Sequence, residues 1–113
     1  MNSNNASYVK KHIKSLKQNK IKTLDHKKPF TVDEVKGNLL FITTSTGTPR
    51  NVPLQGTIDA YNHIMKHGTL TRTEIRENNY SDWNPAYIAA ILANFPEIEY
   101  TTRPIILHKK PSI

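Results

Sequence analysis

The stretch NPAYIAAILANFP, residues 84–96, has both ends of a helix written into it. The Asn84 side chain can accept a hydrogen bond from the first free backbone N–H groups. Pro85 suits the first helical position, because the donor it lacks would have no partner there. Ile88, Ile91, Leu92 and Phe95 recur at the spacing that lines one helical face, and Pro96 ends the run. The opposite arc carries Ala86, Ala90 and Ala93 and no Arg or Lys. A helix that is apolar on one side and small on the other suits burial on both, since small side chains let another backbone approach closely. Alanine also forms helix well on an exposed face, so the sequence leaves the use of that arc open.

Working back from this helix, LTRTEI (residues 70–75) carries two start signals that agree. Thr71 and Glu74 have the spacing of a capping box, and Leu70 can pack on Ile75 as a hydrophobic staple. The helix so defined is short, ending near Glu77 or Asn78. Before it, residues 57–66 place Ile58, Tyr61, Ile64 and Met65 on one face, and Gly68 marks the end. Beyond Pro96, EIEY and PIILH flank Thr101-Thr102-Arg103 and read as a terminal hairpin. Between Phe30 and Leu54, FTVDEVK, NLLFITT and RNVPL are rich in β-formers and are separated by Gly37-Asn38 and by Thr46-Gly47-Thr48-Pro49. They predict a small antiparallel meander. Leu39 to Ile42 is apolar on both faces, which predicts a central strand covered on one side by a helix.

The chain has 113 residues, enough for one domain with a modest core, and a net charge of +7. That charge is unevenly placed. Residues 1–28 hold eight lysines against Asp25 alone, while from Pro29 onward eight basic residues meet eight acidic ones. The excess therefore belongs to an N-terminal arm, and it points to an anionic partner. Within the arm, SYVKKHIKSLKQ (residues 7–18) puts Val9, Ile13 and Leu16 on one helical stripe and covers the rest with Lys10, Lys11, Lys14 and Lys17. Such a helix can track phosphates, or it can be a solvated face whose stripe docks on the domain. There is no cysteine, hence no disulfide or thiolate metal site, which suits a reducing compartment. MNSNNASYVKK lacks the apolar segment of a secretory signal, and the longest apolar run is too short for a membrane span. A cytoplasmic protein without membrane partners is expected.

From Thr57 to Leu107 the order helix, capped helix, third helix, hairpin resembles the prokaryotic winged helix family. More loosely, TGTPRNVPL, GTLTRTEIRE, NPAYIAAILANFP and the hairpin are similar to small helix-turn-helix modules that accompany restriction or mobile-element proteins. The expected fold is α+β: a basic helical arm over residues 1–28, then one compact domain over 29–113. That domain comprises the β-meander (30–54) and a winged helix-turn-helix with a C-terminal β-hairpin (57–108). The resemblance implies binding to double-stranded DNA, with the third helix in the major groove and the hairpin along the backbone. Carried over to this chain, it assigns Arg72 and Arg76 on the second helix, Asn84 and Tyr87 at the start of the third, and Arg103 at the wing tip. The arm lysines Lys10, Lys11, Lys14 and Lys17 would supply phosphate contacts. The third helix departs from the pattern, since only Asn84 and Asn94 could hydrogen-bond a base edge.

Other chemistry is thinly represented. Asp59, His63 and His67 recur at four-residue steps and could bring a carboxylate and two imidazoles toward a metal, but a solvated polar face accounts for the same spacing. Glu34-Val35-Lys36, with Asp25, resembles half of a nuclease site, although the α/β core of such enzymes does not fit this length. No cofactor and no enzymatic activity are expected. Tyr80, Trp83 and Tyr87 could stack on bases, anchor a protein partner or roof the core. The competing functional reading is therefore a protein-contact or oligomerisation module, built on the alanine arc and these aromatics.

Overall fold

In the computed structural model, which describes residues 3–17, 19–81 and 85–111, the chain opens with α1 (Ser3–Ser15). Strands β1 (Lys20–Lys22), β2 (Pro29–Lys36), β3 (Leu39–Thr43) and β4 (Pro49–Pro53) follow and pair in that order as one antiparallel sheet. Then come α2 (Leu54–His67), β5 (Thr69–Thr71), α3 (Arg72–Glu77), α4 (Pro85–Ala93), β6 (Ile98–Thr101) and β7 (Ile106–Lys109). The last three strands form a second antiparallel sheet ordered β5, β7, β6. The molecule is thus mixed α+β, with an N-terminal helix and two small sheets. None of its described helices is long and apolar enough to cross a membrane.

Local chemistry accounts for most of the boundaries. At α3 both halves of the capping box are made: the Glu74 N–H donates to Thr71 Oγ1 at 3.1 Å, and the Thr71 N–H donates to Glu74 Oε1 at 2.9 Å. Leu70 and Ile75, the expected staple, are both fully buried. Gly68 closes α2 at φ 89, a left-handed conformation that costs glycine little, and its N–H reaches the Ile64 carbonyl at 2.7 Å. The start of α2 departs from expectation, falling at Leu54 rather than Thr57. Pro53 cannot cap it with a side chain, so the turn between β2 and β3 does so instead. The Asn38 backbone carbonyl accepts from the Leu54 N–H and its Oδ1 accepts from the Gln55 N–H, both at 2.9 Å. The expected cap at Asn84 lies outside the described residues.

The meander holds, with a bulge at Asp33, whose carboxylate accepts from the Thr31 and Thr43 hydroxyls. On β3, Leu40 and Ile42 are buried while Leu39 is 38% exposed, so one face of this strand is covered. Strands β1 and β5 were not expected. At three residues each they carry no local periodicity, and they exist because β2 and β7 offer an edge to pair with.

The largest correction concerns residues 1–28. The expected separate arm is built into the core: Val9, Ile13, Leu16, Ile21 and Leu24 belong to the same buried cluster as Phe30, Leu40, Ile64 and Phe95. Of the two readings of the basic helix, its stripe does dock, with α1 lying against α2 and β2. The alanine arc of α4 is likewise enclosed. Of the arc, Ala86 and Ala90 are buried and Ala93 is half-buried, and the helix packs on α2, α3, β1, β6 and β7. It is the central helix of the fold, which its lack of charge permits.

Candidate nucleic-acid interface

Between β1 and β2 the chain makes a tight turn locked by its own hydrogen bonds. Thr23 is buried and holds Lys28 at both ends: its N–H donates to the Lys28 carbonyl, and its Oγ1 accepts from the Lys28 N–H, both at 3.0 Å. The Lys27 N–H donates back to the Thr23 carbonyl at 3.1 Å, which holds Lys27 at φ 55. Leu24 anchors the turn in the core, so Asp25, His26, Lys27 and Lys28 are pushed outward. The turn between β6 and β7 has the same plan. Ile105 is its buried anchor, Arg103 takes φ 64, and Thr102, Arg103 and Pro104 are exposed.

The two turns line a cleft of roughly 750 Å³, whose remaining wall is Arg72 and Thr73 at the start of α3. Arg72 donates from Nη1 to Asp25 Oδ2 at 2.8 Å, and His26 Nε2 stands 3.6 Å from the same oxygen. Burial works against ionising the Asp25 carboxyl. Hydrogen bonds from the backbone of His26 and of Asp25 itself, with the nearby His26 and Arg72 charges, outweigh it and hold the carboxyl below the usual aspartate range. This ridge of Asp25, His26 and Arg72 also borders a second cleft of about 170 Å³, which adds Lys28, Ser45 and Tyr87. Tyr87 is half-buried and meets Phe30 edge-on, with ring centroids 5.0 Å apart.

Four cations from three distant segments, Lys27, Lys28, Arg72 and Arg103, therefore border two adjoining clefts, with Asp25 the one carboxylate among their described lining residues. Only Arg72 of the four forms an ion pair with a described residue. A row of exposed lysines leads toward the turn along the margin of β2, with Lys17 bridged to Val32, Lys20 opposite Thr31 and Lys22 opposite Pro29. The arrangement suits an extended anion that presents charges at intervals.

Of the residues expected to contact DNA, the structure brings together Arg72, Tyr87 and Arg103. Arg76 is exposed on α3 but lines neither cleft, and Lys11, Lys14 and the half-buried Lys10 ride on α1. Asn84 and Trp83 lie outside the described residues. Asn94 turns back to donate to the Ala90 carbonyl at 2.8 Å. Sequence reasoning counted Lys27 and Lys28 only as arm charge and missed that Lys27 shares a cleft with Arg103 and Lys28 a cleft with Tyr87. The available cue was Leu24-Asp25, an apolar and an acidic residue interrupting a lysine run.

The remaining candidates resolve into local packing. The His63 and His67 rings meet at a tilt of 55° with centroids 4.7 Å apart, but His63 Nδ1 meets the Tyr80 hydroxyl at 3.1 Å and Asp59 accepts from Gln55. No group of three or more metal-ligating side chains gathers among the described residues. Tyr80 and Tyr87 serve different partners, His63 and Phe30. Burial, then the Asp59 and Glu74 charges, pushes the Tyr80 phenol up. Asp25 is engaged by Arg72, while Glu34 and Lys36 are exposed on β2. Against known proteins, the chain matches no protein-family model, no curated protein and no solved structure.

Proposed function

We propose that this protein binds nucleic acid, double-stranded DNA first among them, by contacting phosphates with the cations around the two clefts. The observation that carries this reading is the convergence of Lys27, Lys28, Arg72 and Arg103 from three separate segments, at the end of a row of exposed lysines. In this reading the chain works as a winged helix. The order α2, β5, α3, α4, β6, β7, with β7 in the middle of its sheet, supports that, and Arg103 stands at the turn of the wing.

Phosphates bound there displace the counterions condensed on the nucleic acid, which supplies affinity independent of sequence. Asp25 holds the Arg72 guanidinium where the two clefts adjoin, and Ser45 lines the smaller cleft together with Lys28. Base reading by α4 has no support, because the body of that helix is buried; contacts of this kind position a duplex without specifying its sequence. A protein-contact module built on the alanine arc would need that arc at the surface, and Ala90 is 0% exposed.

Titration of a random-sequence duplex at several salt concentrations tests the reading. Affinity is expected to fall linearly on a log–log plot. Combining Lys27→Ala, Lys28→Ala and Arg103→Ala is expected to reduce the slope by about 2 to 3, since each phosphate contact contributes about 0.9. No binding at low salt, or a triple variant with the wild-type slope, would overturn it.

A further inference from the structure

Tyr100 stands opposite Leu107 on the β6–β7 ladder and two residues from Ile98, so the three side chains share one face of the hairpin. Ile98 and Leu107 are buried on that face, whereas Tyr100 is 39% exposed: the core ends before it does. The ring is instead met by the Lys27 ammonium, 5.6 Å from its centroid. Lys27 also lines the larger cleft, with Thr102 and Arg103 on the opposite turn. An aromatic face at the edge of a cationic cleft, met by a flexible lysine, is a place where a flat apolar group can exchange with the ammonium.

We infer that Tyr100 and Lys27 form a seat for one unpaired nucleobase, so that the protein prefers duplex carrying a single-stranded extension to blunt duplex. The inference rests on the nucleic-acid reading above and names the substrate class of that site. Bases inside a duplex have both faces occupied by their neighbours, whereas an unpaired base in a single-stranded extension can swing out and present a face to a tyrosine. When the base seats, the Lys27 ammonium leaves the ring and takes the adjoining phosphate, with Arg103 on the next. The aromatic contact is indifferent to which base it receives, because every base has such a face.

The test compares a blunt duplex with the same duplex extended by a short single strand, at one salt concentration. The wild-type protein is expected to bind the extended duplex about tenfold more tightly, in line with the worth of one base–aromatic stack. Tyr100→Ala is expected to bring the ratio to about one and Tyr100→Phe to preserve it, since stacking needs the ring and not the hydroxyl. A fluorescent base analogue that dims on stacking, placed at the first unpaired position, gives a reading on the unmutated protein, and dimming is expected. A preference that survives Tyr100→Ala, or an analogue that stays bright, would overturn the seat. Equal wild-type binding of the two duplexes would overturn the seat while leaving the phosphate reading intact, and failure to bind either would overturn both.

Discussion

Helix α1 carries lysines on one arc and Val9 and Ile13 on the other, while α4 is apolar or alanine nearly all round. The first packs one face and leaves the other in water. The second is enclosed by two helices and both sheets. The difference shows how this protein divides labour between charge and packing. The segment that helix order nominates for base reading is spent on the core, and most of the charge proposed to meet an anion sits on two irregular turns held out by buried anchors, Leu24 and Ile105. Three of the four cleft cations, Lys27, Lys28 and Arg103, sit on the turns, and the fourth, Arg72, opens α3.

Ala90→Glu is the most direct way to break the comparison. A carboxylate at a fully buried alanine of α4 lacks both water and space, and a loss of at least about 4 kcal/mol, enough to unfold a small domain, is expected in chemical denaturation. A folded variant of near-native stability would mean that α4 faces outward after all.

Ile13→Ala tests the other helix. Because Ile13 is fully buried, a loss of about 2–5 kcal/mol is expected from the deleted methyl groups and the cavity left behind. A loss below about 0.5 kcal/mol, the usual size for an exposed site, would restore the picture of a detachable arm.

A smaller effect lies where α1 and α2 meet the connection between α4 and β6. Glu97 accepts from the Tyr61 hydroxyl at 2.6 Å and from the Tyr8 hydroxyl at 3.0 Å. Burial first, then the Glu97 hydrogen bond and charge, raises both phenols above their ordinary value, and Tyr8 adds to the shift at Tyr61. A group whose folded pKa is raised holds its proton more tightly when folded. Its contribution is therefore complete below the unfolded phenol value of about 10 and lost as pH rises beyond it. Tyr61→Phe is expected to cost about 1.5–3 kcal/mol at neutral pH, the usual worth of a hydrogen bond to a charged group, and to flatten the alkaline decline of the melting temperature. An identical alkaline decline in the variant would remove Tyr61 from this account.

Lys14→Ala should do least. The residue is exposed on the outer arc of α1, so stability is expected to stay within about 0.5 kcal/mol. The salt slope for DNA should fall by no more than about 0.9, the share of one phosphate contact. A larger change in slope than that of the combined variant at Lys27, Lys28 and Arg103 would move the interface from the clefts to α1.

Thr71 with Glu74, Gly68, the turns at Gly37 and Gly47, and the striped face of α1 were all legible in the sequence alone. Each depends on donors, acceptors and backbone freedom within a few residues, which composition and spacing reveal. Tertiary structure alone decided the rest. Three-residue β1 and β5 became strands because a neighbour offered an edge, and Asn38 capped α2 from a turn 17 residues away. The alanine arc became an interior surface because both sheets close around it. The candidate site belongs to this second kind: Arg72 meets Asp25 across 47 residues of sequence, and Lys27 comes beside Tyr100 only after the second sheet docks. A lysine run records how much positive charge the chain carries, but only the packing of distant layers decides which charges share a cleft, because that depends on contacts no local pattern encodes.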